Sequence, residues 1–185
     1  MGTLFVDNIK HQSSQGSGTI TVGASGEKVD LGTGVTGGTL TNTPAFEATK
    51  SATQNFADNT TVKITFDGTN FDTDSAFNTT DSTFVVPSGK AGKYYLAGNV
   101  DMPGCDDGEL VQLQMFKNGS SIHQSLEREH ASATNQGKKV RTSVIVELAV
   151  GDAVDFRCFQ NSGGAGGQNI DQTETFFRGF RLIGA

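Results

Sequence analysis

The sequence predicts an all-β protein: a β-sandwich or jelly roll preceded by an extended segment rich in Gly, Ser and Thr. Three observations carry that expectation. Apolar–polar alternation recurs in short runs, as at Val111, Leu113 and Met115 and again at Val140, Val144, Val146 and Leu148. Turn signals such as Asn118-Gly119 and Gly151-Asp152 separate the runs. Nowhere between them do Ala, Leu, Glu and Lys accumulate as they would to build a helix.

The N-terminal part, residues 1–43, differs in kind from the rest. Residues 16–41 alternate β-prone pieces (Thr19–Val22, Lys28–Leu31, Gly34-Val35) with Gly/Ser/Thr spacers. Such a segment has too little apolar content to fold alone and gains order by pairing with copies of itself or with a host surface. Leu4, Phe5, Val6 and Ile9 form an apolar cluster at its start and are the expected docking residues.

From Pro44 to Ala185 the pattern is that of a folded domain. Residues 45–50 and 61–67 alternate as half-buried strands do, and Asp67-Gly68-Thr69-Asn70 reads as a turn. Residues 83–86, 93–100, 110–117, 121–130, 139–149 and 153–160 follow as strands, with Thr142 filling an inward slot of its run. The glycine-dense stretch 161–168 reads as a surface loop. In the closing strand Phe176, Phe180 and Leu182 fall on one face, and Phe177 and Ile183 on the other. A sandwich strand needs one apolar face. Two imply a further buried surface, so Phe176, Phe177, Phe180 and Ile183 are read as contacts between copies.

The stretch Phe77-Asn78-Thr79-Thr80-Asp81-Ser82-Thr83-Phe84-Val85-Val86-Pro87, continuing through Gly92, Tyr94 and Leu96, resembles the signature of the C1q/tumour-necrosis-factor-like jelly roll. Three further pieces, in the family's order, resemble it too. They are Val111 to Gly119, Val150-Gly151-Asp152-Ala153-Val154 and Phe177-Arg178-Gly179-Phe180-Arg181-Leu182. The turn after Pro87 is longer than the family pattern, and Leu96 stands where an aromatic is usual. The resemblance covers roughly residues 44–185 and implies a homotrimer, with the apolar surface of the closing strand buried around a threefold axis.

Several function classes are disfavoured. A formal charge of −6 and scattered basic residues argue against nucleic-acid binding. The single basic cluster, Lys138, Lys139 and Arg141, reads as a solvated strand edge. No segment approaches the roughly 20 apolar residues of a membrane span. The N-terminus carries neither a secretory signal nor the Ser or Thr that myristoylation requires at the position of Val6, so synthesis in a cytoplasm is expected. Gly32-Thr33-Gly34-Val35-Thr36-Gly37 matches a dinucleotide fingerprint but lacks the helix that must follow it. The three histidines, His11, His123 and His130, accompany no Gly-x-Ser-x-Gly elbow and read as surface residues. Asp72/Asp74 and Asp106/Asp107/Glu109 are sequence neighbours rather than carboxylates converging across a cleft. Cys105 and Cys158 are too few and too far apart for a metal site and read as thiols. Asn59, Asn78 and Asn118 head glycosylation sequons.

No enzyme and no cofactor are expected. Calcium is the one cation that the loop acids Asp101, Asp106, Asp107 and Glu109 would suit, although their spacing fits no EF-hand. A jelly-roll head behind a Gly/Ser/Thr-rich segment is similar to phage virion surface proteins: tail fibres, head fibres or capsid decorations. That resemblance implies a virion-surface location after assembly in a host cytoplasm, with other capsid or tail proteins as partners. The knob would meet a host glycan or protein through loops 101–109 and 161–168, with Asp101, Asp106, Asp107, Glu109 and Gln168 facing outward. A cell-encoded secreted C1q-like recognition module is the alternative, disfavoured by the missing signal and Gly-X-Y stalk.

Overall fold

The computed structural model describes residues 42–104, 110–128, 137–161 and 167–182. The docking cluster Leu4, Phe5, Val6 and Ile9, the acids Asp106, Asp107 and Glu109, the thiol Cys105 and the interface candidate Ile183 all lie outside the described residues. Every described regular element is a strand. In chain order they are β1 (Ala45–Thr49), β2 (Gln54–Phe56), β3 (Thr60–Lys63), β4 (Gly68–Asp72), β5 (Phe77–Asn78) and β6 (Thr83–Val85). The longer strands follow: β7 (Gly92–Met102), β8 (Leu110–Lys117), β9 (Ser120–Arg128), β10 (Lys138–Leu148), β11 (Ala153–Asn161) and β12 (Gln168–Arg181).

Two antiparallel sheets face each other. The first runs β10-β7-β12-β1-β4, with β2 also paired to β12; the second runs β5-β6-β11-β8-β9, with β3 also paired to β11. The last strand thus lies beside the first, and β7 sits between β12 and β10. Such crossings between strands distant in sequence are what a jelly roll requires.

Period-two burial follows the alternation in the sequence. Val111, Leu113 and Met115 of β8 are all buried, as are Val140, Thr142 and Leu148 of β10. Val144 and Val146 pack partly buried against the same core. A cluster of phenylalanines fills the centre. Phe177 meets Phe156 at a centroid distance of 4.4 Å, Phe46 at 4.9 Å, Phe77 at 5.9 Å and Phe66 at 6.1 Å. Stacked and edge-on pairs of this kind add to the burial of the rings themselves.

Turn chemistry sets the corners. Asn118 and Gly119 both take positive φ, 50° and 80°, as a two-residue hairpin loop between β8 and β9 demands. Its side chains then tie this hairpin to the β10–β11 corner. Asp152 accepts from Asn118 Nδ2 at 2.7 Å, from the Ala149 amide at 2.8 Å and from Lys117 Nζ at 2.8 Å. Asn118 Oδ1 accepts in turn from the Ala153 amide at 2.9 Å. Led by the hydrogen bond from Lys117, these donors hold the Asp152 carboxyl down at about 2.

Three sequence expectations are corrected. The supposed turn at residues 67–70 is instead the entry to β4, because Thr49 and Ala48 pair with Gly68 and Thr69. Asp67 caps that entry by accepting from the Ser51 amide at 2.8 Å. The strand expected over 61–67 ends at Lys63, with one further backbone bond from the Ile64 amide to the Phe156 carbonyl at 2.9 Å; Ile64 and Phe66 are buried core residues. Lys138, expected on a solvated edge with Lys139 and Arg141, is 2% exposed because it takes an inward position of β10.

Candidate assembly surface

β12 carries the surface of interest, and a bulge decides which of its side chains point where. Ile170 and Phe177 are both fully buried, yet they stand an odd number of positions apart, which would put them on opposite faces of a regular strand. The register against β7 shifts between Asp171 and Phe176 and absorbs the difference. The bulge is held by the Thr173 amide donating to Asp171 Oδ1 at 2.7 Å, by Asn99 Nδ2 donating to the Glu174 carbonyl at 2.5 Å, and by the Asp101 amide donating to Thr175 Oγ1 at 3.1 Å.

Beyond the bulge Phe177 and Gly179 face the core, while Phe176, Arg178 and Phe180 face outward. Phe177 therefore does not belong to a contact between copies: it is enclosed by aromatic rings of its own chain. Phe176 and Phe180 keep the outward position expected of them and are only half-buried. Gly179 opposite Leu96 permits this tight packing, since a Cβ there would lie 2.4 Å from Leu96 Cδ2 and 2.9 Å from the Tyr95 carbonyl.

Pairing extends the outward row across the sheet. Ile145 of β10 lies opposite Tyr95 of β7, Tyr95 opposite Phe180 of β12, and Phe180 opposite Ala45 of β1. The Tyr95 and Phe180 rings meet at 5.5 Å. Ile145 is 62% exposed and Phe71, on the far edge strand β4, is 49% exposed. Ala45, Phe71, Tyr95, Ala97 and Phe180 line a shallow, mainly apolar cavity of about 280 Å³ in this face. The small residues Ala45 and Ala97 create it, because each leaves a gap between large neighbours. Arg178 is the polar feature of the row. Its guanidinium lies 3.9 Å over the Phe176 ring and 3.4 Å from Glu47, which also accepts from Asn70 Nδ2 at 2.6 Å.

The outward-loop candidates are only partly visible. Asp101 is in β7 rather than in a loop, opposite Lys139 on one side and Asp171 on the other. Burial pushes its carboxyl above the usual range; Lys139 opposes that, and Asp171 and Glu174 reinforce it. Gln168 opens β12 opposite Phe56, half-buried, and is likewise a strand residue. Among the described residues no cluster of three or more His, Cys, Asp or Glu could hold a metal ion. Cys158 is buried in β11 with its Sγ 3.7 Å from Met102 Sδ. Tyr95, Phe71, Ile145 and Arg178 were missed by the sequence reading. Parity along β7 and β10 marks Tyr95 and Ile145 as outward once Tyr94 and Val144 are known to face inward, but Phe71 carried no signal.

The C1q domain family model matches residues 45–182. No curated protein matches the chain by sequence. Among solved structures, the globular domain of zebrafish complement 1qA protein superposes with a TM-score of 0.55 at 17% identity, covering 76% of this chain and 98% of that one. The structure of Eiger TNF from S. frugiperda superposes with a TM-score of 0.55 at 11% identity, covering 76% of this chain and 93% of that one. With all-β topology, two antiparallel sheets and a family match over most of its length, the chain belongs to the C1q domain family.

Proposed function

We propose that this chain is a non-enzymatic homotrimeric surface protein of a virus particle. The observation that carries the trimer is the outward face of the first sheet, where Phe71, Tyr95 and Phe180 line one shallow apolar cavity, Ile145 lies opposite Tyr95, and Phe176 stands beyond Arg178 on the same strand face. A face of this kind on a soluble monomer is unusual, and closing it against further copies removes it from water. C1q and tumour-necrosis-factor domains commonly form homotrimers and typically serve as structural or recognition modules rather than enzymes. In this reading residues 1–43 dock on the particle through Leu4, Phe5, Val6 and Ile9, and the domain from Pro44 projects outward as a fibre knob, spike or capsid decoration. Assembly takes place in the host cytoplasm. The outer end of the knob meets a host glycan or protein.

The particle assignment rests on the Gly/Ser/Thr-rich composition of residues 16–41 ahead of a C1q domain. The likeness to the zebrafish complement domain favours a second reading, a cell-encoded secreted recognition module that trimerises through the same face. Sedimentation separates the two. The purified chain is expected to have the mass of a trimer and to co-sediment with purified particles. A version beginning at Pro44 is expected to remain trimeric but to stay in the supernatant. A full-length trimer that never sediments with particles favours the recognition module, and a monomer removes both.

A further inference from the structure

We propose that the assembly face contains a small-oxyanion site built around Arg141, and that the bound anion is enclosed when copies close over it. The inference rests on the assembly reading above and adds a ligand to it. A second depression of about 320 Å³ lies on the outward face between β10 and β12. Ala97 and Gly98 of β7 form its floor, and Arg141, Ser143, Phe176 and Arg178 rise around it. The small side chain of Ala97, the outward residue of the floor, leaves the depression open, while Gly98 lies beneath it with its Cα side turned to the Phe156 ring in the core.

Charge makes the depression more than a gap. Arg141 donates from Nε to Asn99 Oδ1 at 3.1 Å, and Asn99 is itself 1% exposed and anchored to the Glu174 carbonyl. That bond ties the guanidinium to β7, and Arg141 lines the depression. Among the described residues Arg141 forms no salt bridge. Glu174 shares its field but is engaged by Lys139 at 2.7 Å. Arg178, on the opposite wall, is braced on Phe176 and has one long contact to Glu47. Arg141, Arg178 and Ser143 border one space, and guanidinium and hydroxyl groups are the donors that recognise a carboxylate or phosphate group.

The apolar row of Ile145, Tyr95 and Phe180 flanks the depression on one side and the Lys139–Glu174 ion pair on the other, so copies closing over this face strip water from Arg141 as well. A guanidinium buried without a counter-charge is strongly unfavourable. An oxyanion held between Arg141 and Arg178 removes that penalty and links copy to copy.

The test uses the full chain, with inorganic phosphate as the probe, titrated against chloride at constant ionic strength. Wild type is expected to be trimeric, with its melting midpoint rising by at least about 3 °C over a hundredfold range of phosphate. Arg141→Gln, at an exposed position, is expected to stay folded and trimeric and to lose the phosphate response. Arg141→Lys keeps the charge without the planar fork and is expected to retain a weakened response. A wild-type trimer indifferent to phosphate overturns the proposal and leaves the assembly reading intact. If that trimer is also destabilised by Arg141→Gln, a carboxylate of the neighbouring copy is the counter-charge instead. A wild-type chain that is monomeric in both salts overturns the assembly reading, and the site with it.

Discussion

Phe177 and Phe180 stand three positions apart in the same strand, carry the same side chain and have opposite surroundings. Truncating each to Ala separates the core from the assembly face. Phe177 is fully buried and touches the rings of Phe46, Phe66, Phe77 and Phe156. Removing a phenyl group from such a site costs about 3–5 kcal/mol, and the dense aromatic contacts place this one toward the upper end. At about 4 °C per kcal/mol for a domain of this size, the melting midpoint should fall by roughly 12–20 °C. Phe180 is half-buried and has Tyr95 as its aromatic neighbour, so the fold of the single chain should lose only about 1 kcal/mol. Its loss is expected to appear instead in the mass, as dissociation toward monomers. Circular dichroism melting and light scattering on both variants provide the readout, with Phe177→Leu as a milder variant should Phe177→Ala fail to fold. Equal melting losses with unchanged mass for both variants would refute the division of β12 into a core face and an assembly face.

Other consequences can be measured on the same footing. The Asp152 carboxyl, held down at about 2 from its ordinary value of 3.8, stabilises the folded state above pH 4, and that contribution disappears as pH falls through 2. The shift sets an upper limit of roughly 2 kcal/mol, which solvent screening at a corner near the surface reduces to about 1 kcal/mol. Asp152→Asn should therefore lower the neutral-pH melting midpoint by a few degrees and flatten its pH dependence between 4 and 2; an unchanged acid profile would count against the Lys117–Asn118–Asp152 lock. Thr142 Oγ1 is buried without a hydrogen-bond partner, so Thr142→Val should raise stability by about 1 kcal/mol in chemical denaturation, and a loss would show that the hydroxyl is satisfied. Gly98→Ala places a methyl group against Phe156, which Phe177 pins from behind, and should cost about 1–3 kcal/mol; a neutral result would mean that the aromatic cluster yields easily.

By itself the sequence determined the all-β class, the period-two faces of β8 and β10, the Asn118-Gly119 and Gly151-Asp152 corners, and the parity of Phe176, Phe177 and Phe180. These properties are local: alternation, positive-φ residues and turn chemistry act within a few positions of one another. Tertiary structure decided the rest. It placed Phe177 inside rather than between copies, because face parity states only that two residues differ, not which of them meets the opposing sheet. It absorbed an odd spacing in the β12 bulge, which rests on Asn99 and Asp101, backbone and side-chain partners some 75 residues away. It drew Lys138 into the interior, and it paired the short strands β2 and β4 through neighbours far along the chain. The outward row of Ile145, Tyr95, Phe180 and Phe71 exists only because β10, β7, β12, β1 and β4 come together in that order, and strand order and register of that kind cannot be read from any one of the strands.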